Sequence, residues 1–190
     1  MIWSLPNLLT WMRIFAIPLV VLLFHMPYHW SDPAAGALFA VAGITDTLDG
    51  YFARRMGQTS RLGAFLDPVA DKLIVCVALV LLVSKDSRLI VVLPAIVIIG
   101  REIAISALRE WMAQIGAAKS VAVSSLGKVK TAAQMVAIPL LLYGEPLLGF
   151  LPTLLLGQRL LDAAAFLTLW SMFYYLRKAW PMIKERHESG

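Results

Sequence analysis

Residues 89–108 read LIVVLPAIVIIGREIAISAL. Only Arg101 and Glu102 in this run carry charge. As a helix rising 1.5 Å per residue it would be ~30 Å long, the thickness of a bilayer's hydrocarbon core. Five more apolar runs lie on either side, at 8–26, 34–52, 68–83, about 131–143 and about 153–175. Pro27, Pro33, Gly144, Pro146 and Pro152 punctuate the gaps. The pattern predicts an all-α integral membrane protein with six transmembrane helices, forming one domain over 1–190. A short interfacial helix carrying Trp3 and Trp11 fits its start, since tryptophan anchors at headgroups.

Composition agrees. Hydrophobic residues make up 59% of the 190 and charged ones 15%, where soluble domains average about 45–50% and about 25%. Mean hydropathy is +0.75. These values exclude a disordered chain and argue against a soluble enzyme. Cys76 is the single cysteine, so no disulfide framework is expected and packing is its reading. The first run is not read as a signal peptide: no basic residue precedes it, Arg13 interrupts it and no small-x-small site follows. Ala35, Gly36, Ala40 and Gly43 are read as sites of close helix packing.

Basic residues set the orientation. Arg54, Arg55, Arg61, Arg109, Lys119, Lys128, Lys130, Arg177, Lys178, Lys184 and Arg186 collect on one side, with Arg13, Lys72 and Arg101 near it. Lys85, Arg88 and Arg159 fall opposite. The positive-inside rule places the first group and both termini in the cytoplasm. The net charge of +5 also suits anionic headgroups and phosphorylated substrates. Nucleic acid is not an expected partner, since no soluble module exists to hold it.

Between the second and third runs the chain reads DTLDGYFARRMGQTSRLGAFLDPVAD, from Asp46 to Asp71. Carboxylates at the edge of apolar helices are costly and mark function by default. At ~100° per residue Asp46, Asp49, Gly50 and Ala53 share one helix face. Asp67 and Asp71, four apart, share a face of the next helix. Asp67 followed by Pro68 is expected to be an N-cap and first helical residue. Gly57 and Gly63 would turn the chain so that the two pairs face each other. Four adjacent carboxylates repel unless cations intervene. All-oxygen ligation favours Mg²⁺ or Mn²⁺, and no His or Cys accompanies them to suggest zinc. Two such ions would grip a diphosphate and support in-line displacement at phosphorus. Gly50 and Ala53 leave space for a ligand beside the backbone, and Arg54 offers charged hydrogen bonds to phosphate. The bland alternative is a helix cap at Asp67 and ordinary pairing of Asp46 or Asp49 with Arg54 or Arg61.

These residues resemble the signature of the CDP-alcohol phosphatidyltransferase family, D-x-x-D-G-x-x-A-R-x₈-G-x₃-D-x₃-D. The matching positions are Asp46, Asp49, Gly50, Ala53, Arg54, Gly63, Asp67 and Asp71, without departure. At a background of about 5% per position, chance agreement is on the order of 10⁻¹⁰ per start. NLLTWMR at 7–13 is similar to the family's N-terminal segment. GREIAISALREWMA at 100–113 and VAVSSLGKVKTAAQM at 121–135 are similar to its bacterial branch that uses sn-glycerol 3-phosphate.

The resemblance implies six transmembrane helices, a homodimer, and a polar cavity open to the cytoplasm of a bacterial inner membrane. It implies that Asp46, Asp49, Asp67 and Asp71 bind two metal ions per site, Mg²⁺ or Mn²⁺, with Asp71 also the general base. Gly50, Ala53, Arg54 and Gly63 would shape the CDP site, with Asn7 and Thr10 nearby. The implied reaction moves the phosphatidyl group of CDP-diacylglycerol to the 1-hydroxyl of sn-glycerol 3-phosphate and releases CMP.

A phosphorylated acceptor needs a further basic site, for which Arg101, Arg109, Lys128 and Lys130 are candidates. Neighbours at i, i+1 do not face each other on a helix. Arg101 is therefore expected to point inward and Glu102 to pair with another helix. Ser124 and Ser125 offer hydrogen bonds or simply solvate their loop. Arg109 beside Glu110, and Arg159 with Asp162, also have a structural reading. His25, His29 and His187 are given no catalytic role, and the Met and aromatic residues of the runs are read as lipid-facing or packing groups. Two rival readings are a sibling enzyme using phosphatidylglycerol or serine, and a transporter with the aspartates as a cation or proton relay. A relay would spread its acids through the membrane depth, whereas these gather at one edge. A lipid-binding scaffold would not need the Asp67–Asp71 spacing.

Overall fold

The computed structural model describes the backbone of residues 5–56, 61–114 and 125–188, and the side chains of 10–45, 65–114 and 129–177. Six helices follow one another: α1 (Leu5–His25), α2 (Ser31–Met56), α3 (Arg61–Lys85), α4 (Leu89–Gln114), α5 (Ser125–Tyr143) and α6 (Thr153–Glu188). Each apolar run falls on one helix. Several helices continue past their runs into charged sequence, because Arg, Lys and Glu are good helix formers. α1 is unbroken from Leu5, so Trp11 lies in its body and not in a separate interfacial helix; Trp3 lies outside the described residues.

Local chemistry explains the ends. Ser31 donates its hydroxyl to Met26 O (2.9 Å) and Tyr28 O (2.6 Å) at the start of α2. Asp32 and Pro33 follow in the first turn. Pro33 thus does not sit in the gap as expected. It occupies a first-turn position where no amide donor is needed. Gly144 ends α5 with φ +74°, the left-handed conformation that glycine adopts without penalty. Leu147 and Leu151 then exchange backbone hydrogen bonds, both 3.0 Å, around Leu148 and Gly149. Asp67 and Pro68 do not begin α3, which starts six residues before Asp67. The cap expectation fails because α3 already begins at Arg61, and membrane helices tolerate an internal proline, which removes one hydrogen bond and crowds the preceding turn. Pro18, Pro94 and Pro139 lie within α1, α4 and α5 in the same way.

The main core joins all six helices. Val20, Phe39, Leu79, Ile98, Ile138 and Leu161 supply one fully buried side chain from each. α5 packs between two glycines. A Cβ on Gly36 of α2 would lie 2.7 Å from Tyr143 N, and one on Gly157 of α6 would lie 2.8 Å from Leu141 Cγ. Such approach is how helices pack when the surroundings are lipid. A second small cluster of Ile105, Met112 and Tyr175 ties α4 to α6.

The outside is also apolar. Phe15, Ile44, Ile96, Ile103, Phe166, Trp170 and Phe173 are each more than 60% exposed, on a scale that soluble monomers avoid. Among the described residues, α4 is the helix long and apolar enough to cross a membrane, with a mean hydropathy of 2.2. The parts of α1 and α5 whose side chains are described, Thr10–His25 and Val129–Tyr143, are shorter apolar segments.

At one end of the bundle, where turns close the α1–α2, α3–α4 and α5–α6 hairpins, a single ion pair among the described residues links two helices. Lys85, in the last turn of α3, bonds Asp32 and lies 5.5 Å over the Phe24 ring. Gln158 of α6 donates to Ile90 O of α4 at 2.7 Å and to Asp162 at 2.8 Å. Asp162 therefore takes its hydrogen bond from Gln158, one turn back on its own face. In the α3–α4 turn, Arg88 donates to Asp86 through its backbone and its guanidinium. Those side-chain hydrogen bonds pull the Asp86 carboxyl down to about 2.

Candidate active site

The buried charged side chains among the described residues, Arg13, Arg101 and Lys130, lie far from that closed end. At a 1.5 Å rise per residue, Arg13 is ~18 Å from His25, Asp71 ~21 Å from Lys85, Glu102 ~20 Å from Leu89 and Lys130 ~20 Å from Tyr143. Asp46 has the same place on α2, ~22 Å from Ser31. Polar residues far apart in sequence thus occupy one layer because each helix carries its charge at a similar distance from the closed turns.

The first group belongs to α1 and α3. Arg13, 3% exposed, donates from a single nitrogen, Nη1, to Asp67 Oδ1 at 3.1 Å and to Asp71 Oδ1. Thr10 Oγ1 adds a hydrogen bond to Asp67 Oδ1 at 3.5 Å. The i, i+4 spacing puts both carboxylates on one face, as the sequence suggested, and there they meet a partner it did not point to, Arg13. Asp67 and Asp71 remain partly open, with side chains 40% and 34% exposed. Arg13 and Asp71 also line a small cavity with Phe39, Ala42, Gly43, Ile74 and Met135. They thus face α2 one turn before Asp46.

Asp46, Asp49, Gly50, Ala53 and Arg54 lie in α2, Gly63 in α3, Asn7 in α1 and Lys128 in α5. Their side chains are outside the described residues. Among the described residues no group of three or more His, Cys, Asp or Glu is positioned to hold a metal ion. What the structure does show is the Asp67–Asp71 pair, an all-oxygen donor set already gathered on a cation. That set fits a hard divalent ion.

The second group belongs to α4, α5 and α6. Glu102 Oε1 accepts from Lys130 Nζ at 2.7 Å and from Arg101 Nη1 at 2.9 Å. Lys130 is 2% exposed and Arg101 7%. The link from Glu102 to another helix matches expectation. The pair between adjacent Arg101 and Glu102 does not. The i, i+1 argument concerns where side chains leave the helix, and a long arginine side chain reaches back around it. Two buried cations thus share one carboxylate and leave an excess positive charge.

Arg101 Nε, Gln134 Nε2 and Thr168 Oγ1 are buried and find no hydrogen-bond partner among the described residues. Gln134 follows Lys130 by one turn on the same face of α5. Unsatisfied buried polar atoms are rare in native proteins and call for a polar ligand or water. Arg109, exposed, lies 5.8 Å from the centroid of the Tyr175 ring, and Arg101 lies 6.0 Å from it.

Sequence reasoning used Arg13 for topology, against a signal peptide and within the NLLTWMR segment, but not as a site residue, and it missed Gln134, Thr168 and Tyr175 as well. For Arg13 the sequence carries only a coarse signal, its ~18 Å from the α1–α2 turn against ~21 Å for Asp71 from the α3–α4 turn, which pairs them only once the fold is known. Tyr175 was absorbed among the packing aromatics.

Beside these groups, α2 and α5 leave an apolar groove of about 500 Å³. Gly36, Ala37, Ala40 and Gly43 form one wall, and Met135, Val136, Pro139 and Leu140 the other. Its inner end shares Gly43 and Met135 with the cavity lined by Arg13 and Asp71.

Comparison with known proteins gives a consistent picture. The model of the family described as CDP-alcohol phosphatidyltransferase matches residues 3–174. A CDP-diacylglycerol–glycerol-3-phosphate 3-phosphatidyltransferase from Pseudomonas fluorescens is 53% identical over 182 residues, which cover 95% of this chain and 92% of the relative. Proteins of the same description from Escherichia coli (strain K12) and Shigella flexneri serotype 5b (strain 8401) are 50% identical over 177 residues, covering 93% of this chain and 95% of theirs.

Proposed function

The chain belongs to the CDP-alcohol phosphatidyltransferase family, and on that premise we propose that it transfers the phosphatidyl group of CDP-diacylglycerol to sn-glycerol 3-phosphate. The products are phosphatidylglycerophosphate and CMP. The observation that carries the reading is the convergence of Asp67 and Asp71 on Arg13, at the same depth as the Arg101–Glu102–Lys130 cluster. One group suits activation of a hydroxyl beside a diphosphate, and the other suits a phosphate on the acceptor.

Asp46, Asp49, Asp67 and Asp71 would hold the divalent ions, Mg²⁺ or Mn²⁺ and two per site. When bound, the metal neutralises the diphosphate and its developing charge. Asp71 takes the proton from the acceptor's 1-hydroxyl. That oxygen then bonds to the phosphorus bearing diacylglycerol, and the phosphorus–oxygen bond to CMP breaks. Arg13 orients both carboxylates of α3. Gly50, Ala53, Arg54 and Gly63, with Asn7 and Thr10, shape the CDP site; the Thr10–Asp67 bond supports a place for Thr10 at its edge. Arg101, Arg109, Lys128 and Lys130 receive the acceptor phosphate. The α2–α5 groove offers one acyl chain an apolar lane leading to Asp71. Placement and charge complementarity supply most of the acceleration.

The whole chain, 1–190, is one membrane domain with six crossing helices, a cytoplasmic active site and cytoplasmic termini. It resides as a homodimer in the bacterial inner membrane. The apolar outer surface supports burial in lipid. The uneven distribution of Lys and Arg supports the orientation.

The test is turnover in liposomes with Mg²⁺, CDP-diacylglycerol and labelled sn-glycerol 3-phosphate, with phosphatidylglycerol and serine as rival acceptors. Label entering lipid with CMP release is expected. CMP release only with a rival acceptor overturns the acceptor. No release from folded protein with any acceptor overturns the reaction.

A further inference from the structure

Tyr175 is 1% exposed, one of the largest fully buried side chains of the molecule. It comes from α6, yet two guanidiniums of α4 lie at its ring, Arg101 at 6.0 Å and Arg109 at 5.8 Å. These arginines are eight residues apart, ~12 Å along the helix axis. They also differ in surroundings, since Arg109 is exposed and Arg101 is buried. The ring is therefore shared by an exposed cation and a buried one. An aromatic face attracts a guanidinium electrostatically, more strongly when water is excluded, and fixes its plane. Ile105 and Met112 of α4, with Leu108 and Met172, hold the ring in place.

We propose that Tyr175 is a positioning residue for the acceptor. Its ring holds Arg109 and Arg101 in line, so that an anionic acceptor meets the first cation at the surface and passes to the second beside Lys130. This rests on the reading that Arg101 and Lys130 receive the acceptor phosphate. Glu102 takes up only part of the charge of its two cations, which leaves the inner position attractive to an anion. Tyr175 itself touches neither substrate.

The test compares Tyr175→Phe with Tyr175→Leu in liposomes, measuring KM for sn-glycerol 3-phosphate and for CDP-diacylglycerol separately. The phenylalanine variant keeps the ring and retains an acceptor KM within about twofold of wild type. The leucine variant loses both cation–ring contacts and raises that KM about five- to tenfold, with the donor KM unchanged. Arg109→Gln, an exposed change that does not threaten folding, also raises the acceptor KM. It further flattens the dependence of acceptor kcat/KM on ionic strength, because a steering charge is gone.

The proposal is overturned if leucine raises both KM values equally, if phenylalanine fails as leucine does, or if Arg109→Gln leaves the acceptor KM and its salt dependence unchanged. Should Tyr175→Leu not fold, the phenylalanine and Arg109→Gln results decide. A wild-type protein that releases no CMP with sn-glycerol 3-phosphate refutes the functional reading itself. A wild type that turns over while these variants show no acceptor-specific change refutes only the role of Tyr175.

Discussion

Replacing Gly36 by alanine will force α2 away from α5. The added Cβ would lie 2.7 Å from Tyr143 N, 2.8 Å from Pro139 O and 2.9 Å from Tyr143 Cα. All three are backbone atoms, so no side chain can rotate aside. The shortest distance is about 0.7 Å below the 3.4 Å at which ordinary contact begins, and the helices must part by a similar amount. Overpacking of this kind costs up to about 3 kcal/mol. Alanine returns about 1 kcal/mol through its better helix propensity. The expected net loss is about 2 kcal/mol, a fall in Tm of roughly 4–8 °C for a chain of this size. Thermal unfolding in detergent, followed by circular dichroism, measures it. Gly100→Ala is the control: nothing lies within 4 Å of its Cβ, so only the propensity gain remains and Tm rises. A Gly36→Ala protein that melts with Gly100→Ala, or above wild type, refutes the close approach of the two helices.

Asp71→Asn should retain wild-type helical content while turnover falls about 10²–10⁴-fold, the usual contribution of a general base; a wild-type rate would remove Asp71 from that role. Arg101→Ala should raise KM for sn-glycerol 3-phosphate about tenfold or more, through loss of a charge-assisted hydrogen bond, with the donor KM unchanged. If stability alone suffers, Arg101 is structural. The hydrogen bonds from Arg88 hold the Asp86 carboxyl at about 2, so its folded value is depressed. Its contribution is present above the unfolded value near 4 and is lost as pH falls toward 2. Thermal melts of wild type and Asp86→Asn should accordingly differ at pH 6, differ less near pH 3, and converge only at about pH 2 and below.

The six helices were legible because each is a long apolar run with turn residues or charge at its ends. The contacts between helices were less so. A binary pattern shows that Gly36 is small but not that Pro139 and Tyr143 press on it. The Asp67–Asp71 pair was legible from spacing alone, since four residues return a helix to the same face. Its partner Arg13 was not, because 54 residues separate Arg13 from Asp67 and only the fold sets them at one depth. Pro68 misled because a proline after an aspartate suits a helix start, and local preference yielded to the helical sequence before it. The Arg101–Glu102 pair misled because the neighbour rule treats side chains as short. Tyr175 was hidden by its type, an aromatic in an apolar helix.

The layer shared by Arg13, Asp71, Glu102 and Lys130 stands ~20 Å from the closed end of the bundle. A bilayer's hydrocarbon core is ~30 Å thick. With Asp32, Lys85, Asp86 and Arg88 at one headgroup surface, as the proposed topology has them, the reactive layer lies ~10 Å beneath the opposite one. On that topology lipid phosphates on that side would have to sink to reach it, with the surrounding leaflet dimpling inward. Hydrophobic mismatch costs fractions of a kcal/mol per Å, so each added increment of membrane thickness taxes the encounter of donor and site. On that topology turnover is expected to be faster in vesicles of short-chain lipid than in vesicles of long-chain lipid, which makes the enzyme a gauge of bilayer thickness.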